Sequence, residues 1–387
     1  MTGGGSGGHI TPILAVAAEL RKQLPDARLV YIGQRGDRLS DIPAADPSID
    51  AVYSVSAGKF RRYKSDGFKQ IFDLRTQALN VRDLFRMLAG IWQSFWLLRR
   101  LKPALIFTRG GFVSVPVAVA GRLRGVPYIT HDSDVLPSLA NRLIAGGARL
   151  HAVALPAKTY PYPQDKIVVT GVPVSDKYQL VTPNRQRAAR AKLSIPEKAA
   201  VLLVTGGGNG AAVLNERIIA VSQQLFGAVP GLYVLHVAGR DLADIAAKAY
   251  DSVLSPKERK RVEVVGFTTE LHLLSEAADL VVARGGATNL AEFAIQGKAC
   301  LIIPSPQLHW NVVNTQVLAE QGAVQMLSES AADQGSALLE ALAALLTDDA
   351  ARQELSSKIQ TLAQPVAAQK LADVIVSLTK DMRADEA

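Results

Sequence analysis

Four glycine-rich loops constrain the fold of this chain most strongly. They cover residues 3–9, 108–116, 206–211 and 284–292, and the last three each follow a short apolar run and precede a helix-like stretch. A strand, a glycine turn and a helix in that order are typical of a parallel α/β sheet. The runs predicted as strands cover residues 28–33, 104–108, 126–130, 199–205, 232–238, 262–265, 280–283 and 299–303. The sequence therefore predicts an α/β protein with parallel sheets.

Chain length favours two domains. The chain has 387 residues, more than a single core usually serves. Residues 158–183 are rich in proline and polar residues, which is typical of a domain boundary, and the strand–helix alternation restarts after them. We predict an N-terminal domain over residues 1–170 and a C-terminal domain over residues 171–364. We expect a final helix over about residues 365–387 to pack back on the first domain.

The first glycine loop begins after only two residues, Met1 and Thr2. Two residues are too few for a strand, yet the first strand of a doubly wound sheet lies at its centre. We therefore expect the first strand of the N-terminal domain to be missing from this sequence. We also expect about five to eight apolar residues to be encoded ahead of Met1, because that is the usual strand length.

Glycine loops at the carboxyl ends of parallel strands are suited to phosphate, because bare N–H groups and a helix dipole favour negative charge. Residues 3–8 also fit the Gly-x-Gly-x-x-Gly dinucleotide pattern, but no acidic residue stands at the end of the second strand, at residues 32–35, which argues against NAD. Loops in both domains predict a cleft between the domains that holds a phosphorylated ligand. His9 either simply starts a helix or acts there as a neutral general base.

Positive charge is concentrated in one segment. The net charge is +8, and residues 59–102 hold eleven basic and three acidic side chains, so this segment accounts for the whole excess. Nucleic acid, anionic lipid and acidic substrates all suit such a segment.

The single cysteine, Cys300, excludes an internal disulfide, and we expect it to be buried and inert. Asp132 and Asp134 come nearest to a metal motif, but we expect no metal site.

No signal peptide and no run of about 18 apolar residues occurs in the sequence, so we expect a cytoplasmic protein.

Five stretches together resemble the MurG-type N-acetylglucosaminyltransferases of glycosyltransferase family 28: GGGSGGHITPILAVA, RGGFVSVP, HDSDVLPSLANR, GGGNGAAVLN and ARGGATNLAEFAIQGKACLIIP. The resemblance extends from Gly3 to about Ala323. It implies a GT-B fold, in which two Rossmann-like domains face a nucleotide-sugar cleft. It also implies an inverting transfer of N-acetylglucosamine from UDP-GlcNAc to undecaprenyl-diphosphate-linked N-acetylmuramyl-pentapeptide, which converts lipid I to lipid II in peptidoglycan synthesis. No metal and no other cofactor is expected.

The resemblance also implies roles for individual residues. His9 corresponds to the histidine that closes the first loop and is the expected catalytic base, while Glu292 is expected on the ribose. The residues expected to bind UDP-GlcNAc are Ser6, Gly7, Gly8, Gly208, Asn209, Thr268, Ala287, Thr288, Asn289, Leu290, Ala291, Glu292 and Asn311. Contacts with the acceptor or the donor sugar are expected from Gly110, Gly111, Asp134 and Ser175.

Several of these positions depart from the family pattern. Gly208 stands where the family usually has serine, and Ser175 stands where it has arginine. Asp132 and Asp134 replace the glutamate and asparagine of a His-Glu-Gln-Asn motif, and Asn311 belongs to a Trp-Asn pair in place of Gln-Gln. Two alternatives therefore stay open. The chain could glycosylate another lipid, such as diacylglycerol, or it could be a non-catalytic copy that binds a nucleotide sugar.

A lipid-linked acceptor would explain the basic segment. Apolar and aromatic residues bordered by arginines predict a helix that lies on an anionic membrane surface, although such residues could also pack in the core. The residues expected to face the membrane are Arg61, Arg62, Arg86, Trp92, Phe95 and Trp96. We therefore expect a peripheral protein on the cytoplasmic face of the membrane, with no nucleic-acid partner.

Overall fold

The computed structural model describes residues 1–5, 7–59, 74–208 and 210–385. Four predicted site residues lie outside these ranges, namely Ser6, Arg61, Arg62 and Asn209.

The described residues form two compact units. The N-terminal unit comprises Met1–Ser175 together with Val366–Ala387, and the C-terminal unit comprises Asp176–Pro365.

Strands and helices alternate along the N-terminal unit, as the glycine loops predict. Its elements are α1 (Gly7–Gln23), β1 (Val30–Gln34), α2 (Asp41–Ala45), β2 (Ala51–Val55), α3 (Leu74–Leu101), β3 (Ile106–Thr108), α4 (Ser114–Leu123), β4 (Tyr128–Asp132), α5 (Leu139–Ile144), β5 (Leu150–Val153) and β6 (Ile167–Val169). All its strand pairs are parallel: β1 pairs with β2, and β3 to β6 pair in succession.

Met1 and Thr2 lie between β1 and β3. The Thr2 N–H donates to the Phe107 carbonyl at 2.8 Å, and the Ile32 N–H donates to the Met1 carbonyl at 2.9 Å. Thr2 also forms parallel bridges to both neighbouring strands. These two residues therefore occupy the central position of the sheet, and the first glycine loop leaves the sheet there, next to the loop that follows β3.

The C-terminal unit repeats the alternation. Its elements are α6 (Pro183–Lys192), β7 (Ala200–Thr205), α7 (Ala212–Ala228), β8 (Leu232–Val237), α8 (Ala243–Val253), α9 (Pro256–Arg259), β9 (Val262–Val265), α10 (Leu271–Ala277), β10 (Leu280–Ala283), α11 (Ala287–Gln296), β11 (Cys300–Ile302), α12 (His309–Glu320), β12 (Gln325–Met326), α13 (Glu329–Ala332), α14 (Ser336–Thr347) and α15 (Asp349–Gln360). The last helix, α16 (Ala367–Asp385), belongs to the N-terminal unit.

The sheet of the C-terminal unit is a six-stranded parallel sheet in the order β12-β11-β10-β7-β8-β9. Its central strand β7 is buried on both faces. Leu202 and Val204 pack in one hydrophobic cluster, while Val201 and Leu203 pack in the other. This pattern is typical of a parallel sheet covered by helices on both sides. The structure confirms the predicted α/β class, and Cys300 is buried in the second cluster, as expected.

The core of the N-terminal unit is built on α1. Ile10, Ile13 and Val16 are fully buried, and they share a hydrophobic cluster with Leu371 and Ile375 of α16. The C-terminal helix thus packs against the helix that follows the first glycine loop. Within the described parts of the chain, no helix combines the length and the apolar character that crossing a membrane requires.

Candidate functional site

The first two glycine loops of the N-terminal unit contact each other. Gly111 has a φ of +82°, and a Cβ there would lie 2.9 Å from the Gly4 carbonyl oxygen. A Cβ on Gly110 would lie 3.0 Å from the Ser138 hydroxyl oxygen. Both glycines were predicted to contact substrate. Independently of any substrate, the neighbouring loops leave little space for a side chain at either position. Gly7, by contrast, opens α1 and is only half-buried.

His9 lies in the first turn of α1, and its ring is anchored at one nitrogen. Nδ1 lies 3.0 Å from the Arg109 carbonyl oxygen. A carbonyl oxygen only accepts, so Nδ1 carries the proton and a neutral His9 has its lone pair on Nε2. Burial and the Arg109 guanidinium lower the pKa of His9, against smaller opposing effects of the Arg109 carbonyl and Asp134. His9 is therefore neutral at pH 7.

Arg109 was not predicted to have a role. Its side chain is buried, and burial lowers its pKa to about 10, while the carboxylates of Asp134 and Asp132 oppose this decrease. It therefore stays charged at neutral pH, close to His9. Asp134 is half-buried and lies near both groups, as its effects on their pKa values indicate. The sequence feature that could have pointed to Arg109 is its position as a charged residue between an apolar strand and two glycines.

Asp132 has a structural role. Its carboxylate accepts hydrogen bonds from the Tyr162 hydroxyl at 2.7 Å and from the Ser138 N–H at 2.9 Å. Across the part of the chain that the structure describes, no cluster of three or more His, Cys, Asp or Glu side chains could hold a metal ion.

Unpaired polar atoms lie buried beside the second glycine loop. His131 donates through Nε2 to the Gly171 carbonyl at 2.8 Å, whereas its Nδ1 has no hydrogen-bond partner among the described residues. The same holds for the Ser133 hydroxyl and the Asn141 amide oxygen. Buried polar atoms of this kind usually meet a water molecule or a ligand. Ser175, at the end of the N-terminal unit, is half-buried.

The third glycine loop is shaped by close backbone contacts. A Cβ on Gly210 would lie 2.1 Å from the Ala238 carbonyl oxygen, which itself accepts a hydrogen bond from the Asn215 amide at 2.9 Å. His236 lies between Asn215 and Tyr250, at 3.0 Å from each. No sequence motif pointed to this buried network. The predicted Gly208 is half-buried in the loop.

The fourth loop leads from β10 into α11. The helix starts after Gly286 without a side-chain cap, and Ala287, Thr288 and Asn289 form its N-terminal end. Such an end favours an anion. The side chain of Leu290 is buried in the core of the C-terminal unit, so a contact of this residue with a ligand would come from its backbone. Ala291 is half-buried.

Glu292, one turn further along α11, is buried. Burial raises the pKa of its carboxyl group to about 8, although a hydrogen bond from the Tyr178 hydroxyl opposes the increase. A buried carboxyl group with a strongly raised pKa is typical of a functional site. The sequence predicted Glu292 but gave no sign of Tyr178.

Asn311, near the start of α12, lies next to the fourth glycine loop. A Cβ on Gly285 would lie 2.4 Å from the Asn311 carbonyl oxygen, so α12 packs directly against the loop backbone. The Asn311 side chain is 4% exposed, and its amide oxygen has no hydrogen-bond partner among the described residues. It can therefore accept a hydrogen bond from a ligand.

Thr268 lies in the loop between β9 and α10. Its hydroxyl oxygen accepts a hydrogen bond from the Glu270 N–H at 2.9 Å, and the residue is half-buried. The preceding ring, Phe267, stacks against the Arg240 guanidinium at 4.3 Å.

One face of α3 exposes large apolar side chains. Trp92 is 67% exposed, and Trp96 is 48% exposed. The other apolar residues of this face are Val81, Leu84, Phe85 and Leu88. Phe95, which was also predicted to face the membrane, is partly buried and packs against the core of the N-terminal unit. Arg86 is exposed and lies 3.5 Å from the carboxylate of the buried Asp83.

Comparisons with known proteins agree with this architecture. The glycosyltransferase family 28 N-terminal domain matches residues 1–150, and the C-terminal domain of the same family matches residues 201–371. A crystal structure of Acinetobacter baumannii MurG superimposes with a TM-score of 0.66 at 24% identity, covering 97% of this chain and 98% of that chain. The fold is therefore the GT-B fold of nucleotide-sugar glycosyltransferases.

Two curated relatives carry the same name, UDP-N-acetylglucosamine--N-acetylmuramyl-(pentapeptide) pyrophosphoryl-undecaprenol N-acetylglucosamine transferase. The relative from Desulforudis audaxviator is 31% identical over 383 residues, covering 98% of this chain and 97% of its own. The relative from Bacillus cereus, numbered 1, is 30% identical over 384 residues, covering 98% and 99%. The chain belongs to glycosyltransferase family 28.

Proposed function

We propose that this chain transfers N-acetylglucosamine from UDP-GlcNAc to undecaprenyl-diphosphate-linked N-acetylmuramyl-pentapeptide, a step of peptidoglycan synthesis. The names of the full-length relatives support both substrates. The single observation that carries the donor assignment is the N-terminal end of α11, which follows a glycine loop at the end of β10 and is itself followed one turn later by the buried Glu292.

The donor site would use the C-terminal unit. The N-terminal end of α11 would meet the diphosphate, and Glu292 would accept hydrogen bonds from the ribose hydroxyls. The backbone beside Thr268 would meet the uracil. The unpaired amide oxygen of Asn311 would accept a hydrogen bond from a hydroxyl of the sugar.

His9 would act as the general base. Its Nε2 lone pair takes the proton of the acceptor hydroxyl, and the acceptor oxygen bonds to the anomeric carbon. The bond from that carbon to the β-phosphate oxygen breaks, and its electron pair leaves with UDP on the opposite face, which inverts the configuration. The helix end of α11 would stabilise the developing diphosphate charge.

The exposed face of α3 would hold the enzyme on its lipid-linked substrate. Aromatic and aliphatic side chains would enter the interface, and the basic residues of positions 59–102 would contact anionic headgroups. The protein would then be a peripheral protein on the cytoplasmic face of the membrane.

A transfer assay tests the proposal. Labelled UDP-GlcNAc is incubated with a short-chain analogue of the muramyl-pentapeptide lipid, and, in parallel, with diacylglycerol. We expect product only with the diphosphate lipid, and loss of that product in His9→Ala. Product only with diacylglycerol would indicate the other lipid transferase. Binding of UDP without product from either acceptor would indicate the non-catalytic copy.

A further inference from the structure

The segment that enters the C-terminal unit is fixed to one face of α11 at two points. The Tyr178 hydroxyl donates to the Glu292 carboxyl group. The Val181 N–H donates to the Gln296 carbonyl at 3.2 Å. Glu292 and Gln296 are four residues apart, so they lie on the same face of the helix.

The Tyr178 ring is held as well as its hydroxyl. It contacts the His272 ring edge-on, with centroids 5.9 Å apart and an interplanar angle of 69°. His272 is fixed in turn, because its carbonyl accepts a hydrogen bond from the Gln296 amide at 2.9 Å. Tyr178 is therefore restrained both at its ring, by His272, and at its hydroxyl, by Glu292.

We infer that Tyr178 is a positioning residue for the ribose site, in that its hydroxyl binds one oxygen of Glu292 and directs the other toward the ribose diol. This inference rests on the proposed function. A carboxylate has about four acceptor positions, so one tyrosine donor and two ribose hydroxyls can all be accommodated. Without the tyrosine, the Glu292 carboxyl group would lose this restraint.

The electrostatics are consistent with this role. Burial raises the pKa of Tyr178 well above its usual value, with a smaller contribution from Glu292, so the hydroxyl remains a donor throughout the working range of pH. The same hydrogen bond opposes the burial that raises the pKa of Glu292, and therefore favours the carboxylate form. Of the titratable groups, Tyr178 faces Glu292 directly, and His272 of α10 contacts the tyrosine ring.

Calorimetric titration of the full chain with UDP and with 2′-deoxy-UDP tests the inference, because the two ligands differ by one ribose hydroxyl. At about pH 9, above the pKa of Glu292, the wild type should prefer UDP by about tenfold, since a hydrogen bond to the carboxylate is lost with the deoxy ligand. Tyr178→Phe should reduce this preference at least about threefold while leaving the affinity for 2′-deoxy-UDP nearly unchanged. Tyr233→Phe, which removes another half-buried hydroxyl of the same unit, should keep the preference.

A pH series between 7 and 9.5 gives a second measurement. The pH at which the UDP preference is half-developed should be higher in Tyr178→Phe than in the wild type, because the carboxylate has lost a donor. An unchanged preference and an unchanged midpoint in Tyr178→Phe would overturn the inference. Tighter UDP binding by this variant would also overturn it, since Tyr178 would then block the site. Failure of the wild type to bind UDP would instead refute the proposed function.

Discussion

Replacing Glu292 by glutamine should stabilise the ligand-free C-terminal unit above about pH 5. Burial raises the pKa of Glu292 to about 8 in the folded chain, from an ordinary value of 4.5. Between these two pH values the unfolded chain loses the proton while the folded chain keeps it, so folding becomes less favourable as pH rises. Glutamine has no proton to lose and can still accept the Tyr178 hydrogen bond.

The size of the effect follows from the same two values. The difference between 4.5 and about 8 corresponds to roughly 5 kcal/mol between the charged and neutral forms. Relaxation around a newly charged side chain reduces this, so we expect a gain on the order of 2–5 kcal/mol at pH 8. The gain should approach zero below pH 4.5, where glutamate is protonated in both states.

Urea unfolding at a series of pH values measures the gain. The chain has three tryptophans, and Trp310 reports on the C-terminal unit once Trp92 and Trp96 are replaced by phenylalanine. Glu276→Gln is the matched control. Glu276 is also buried but lies 2.5 Å from Arg185, so its neutralisation should destabilise the unit. A pH-independent effect of Glu292→Gln, or a loss of stability at pH 8, would refute the reasoning.

Three further predictions concern catalysis and membrane binding. His9→Ala should lower turnover about 10²–10⁴-fold with little change in UDP affinity, as steady-state kinetics and calorimetry would show; equal losses in both would instead indicate a loop-positioning role. Arg109→Gln should move the acidic limb of the pH–rate profile to higher pH, because the guanidinium lowers the pKa of His9; an unmoved limb would contradict this. Trp92→Ala should weaken sedimentation with anionic vesicles even at low salt, whereas binding of the wild type should decline between about 0.1 M and 1 M salt. Absence of wild-type binding at low salt would remove the membrane assignment of α3.

Local sequence patterns determined the architecture of this protein. Apolar runs such as residues 201–204 are read from composition and length alone, and the glycine loops mark where each strand ends. The same patterns, through their resemblance to a family, identified His9 and Glu292. These features depend on neighbouring residues in the chain, so they can be read without the fold.

Tertiary structure decided which of these residues are accessible and what they contact. Leu290 packs in a core, Phe95 packs partly buried against another, and a Cβ on Gly111 would meet the carbonyl of Gly4. The protonated nitrogen of His9 is set by a carbonyl 100 positions away, and the Glu292 carboxyl group is bound by a tyrosine from a distant segment. Such contacts join residues far apart in sequence, and side-chain burial depends on every element packed nearby. No local periodicity encodes them, so only the folded chain could reveal them.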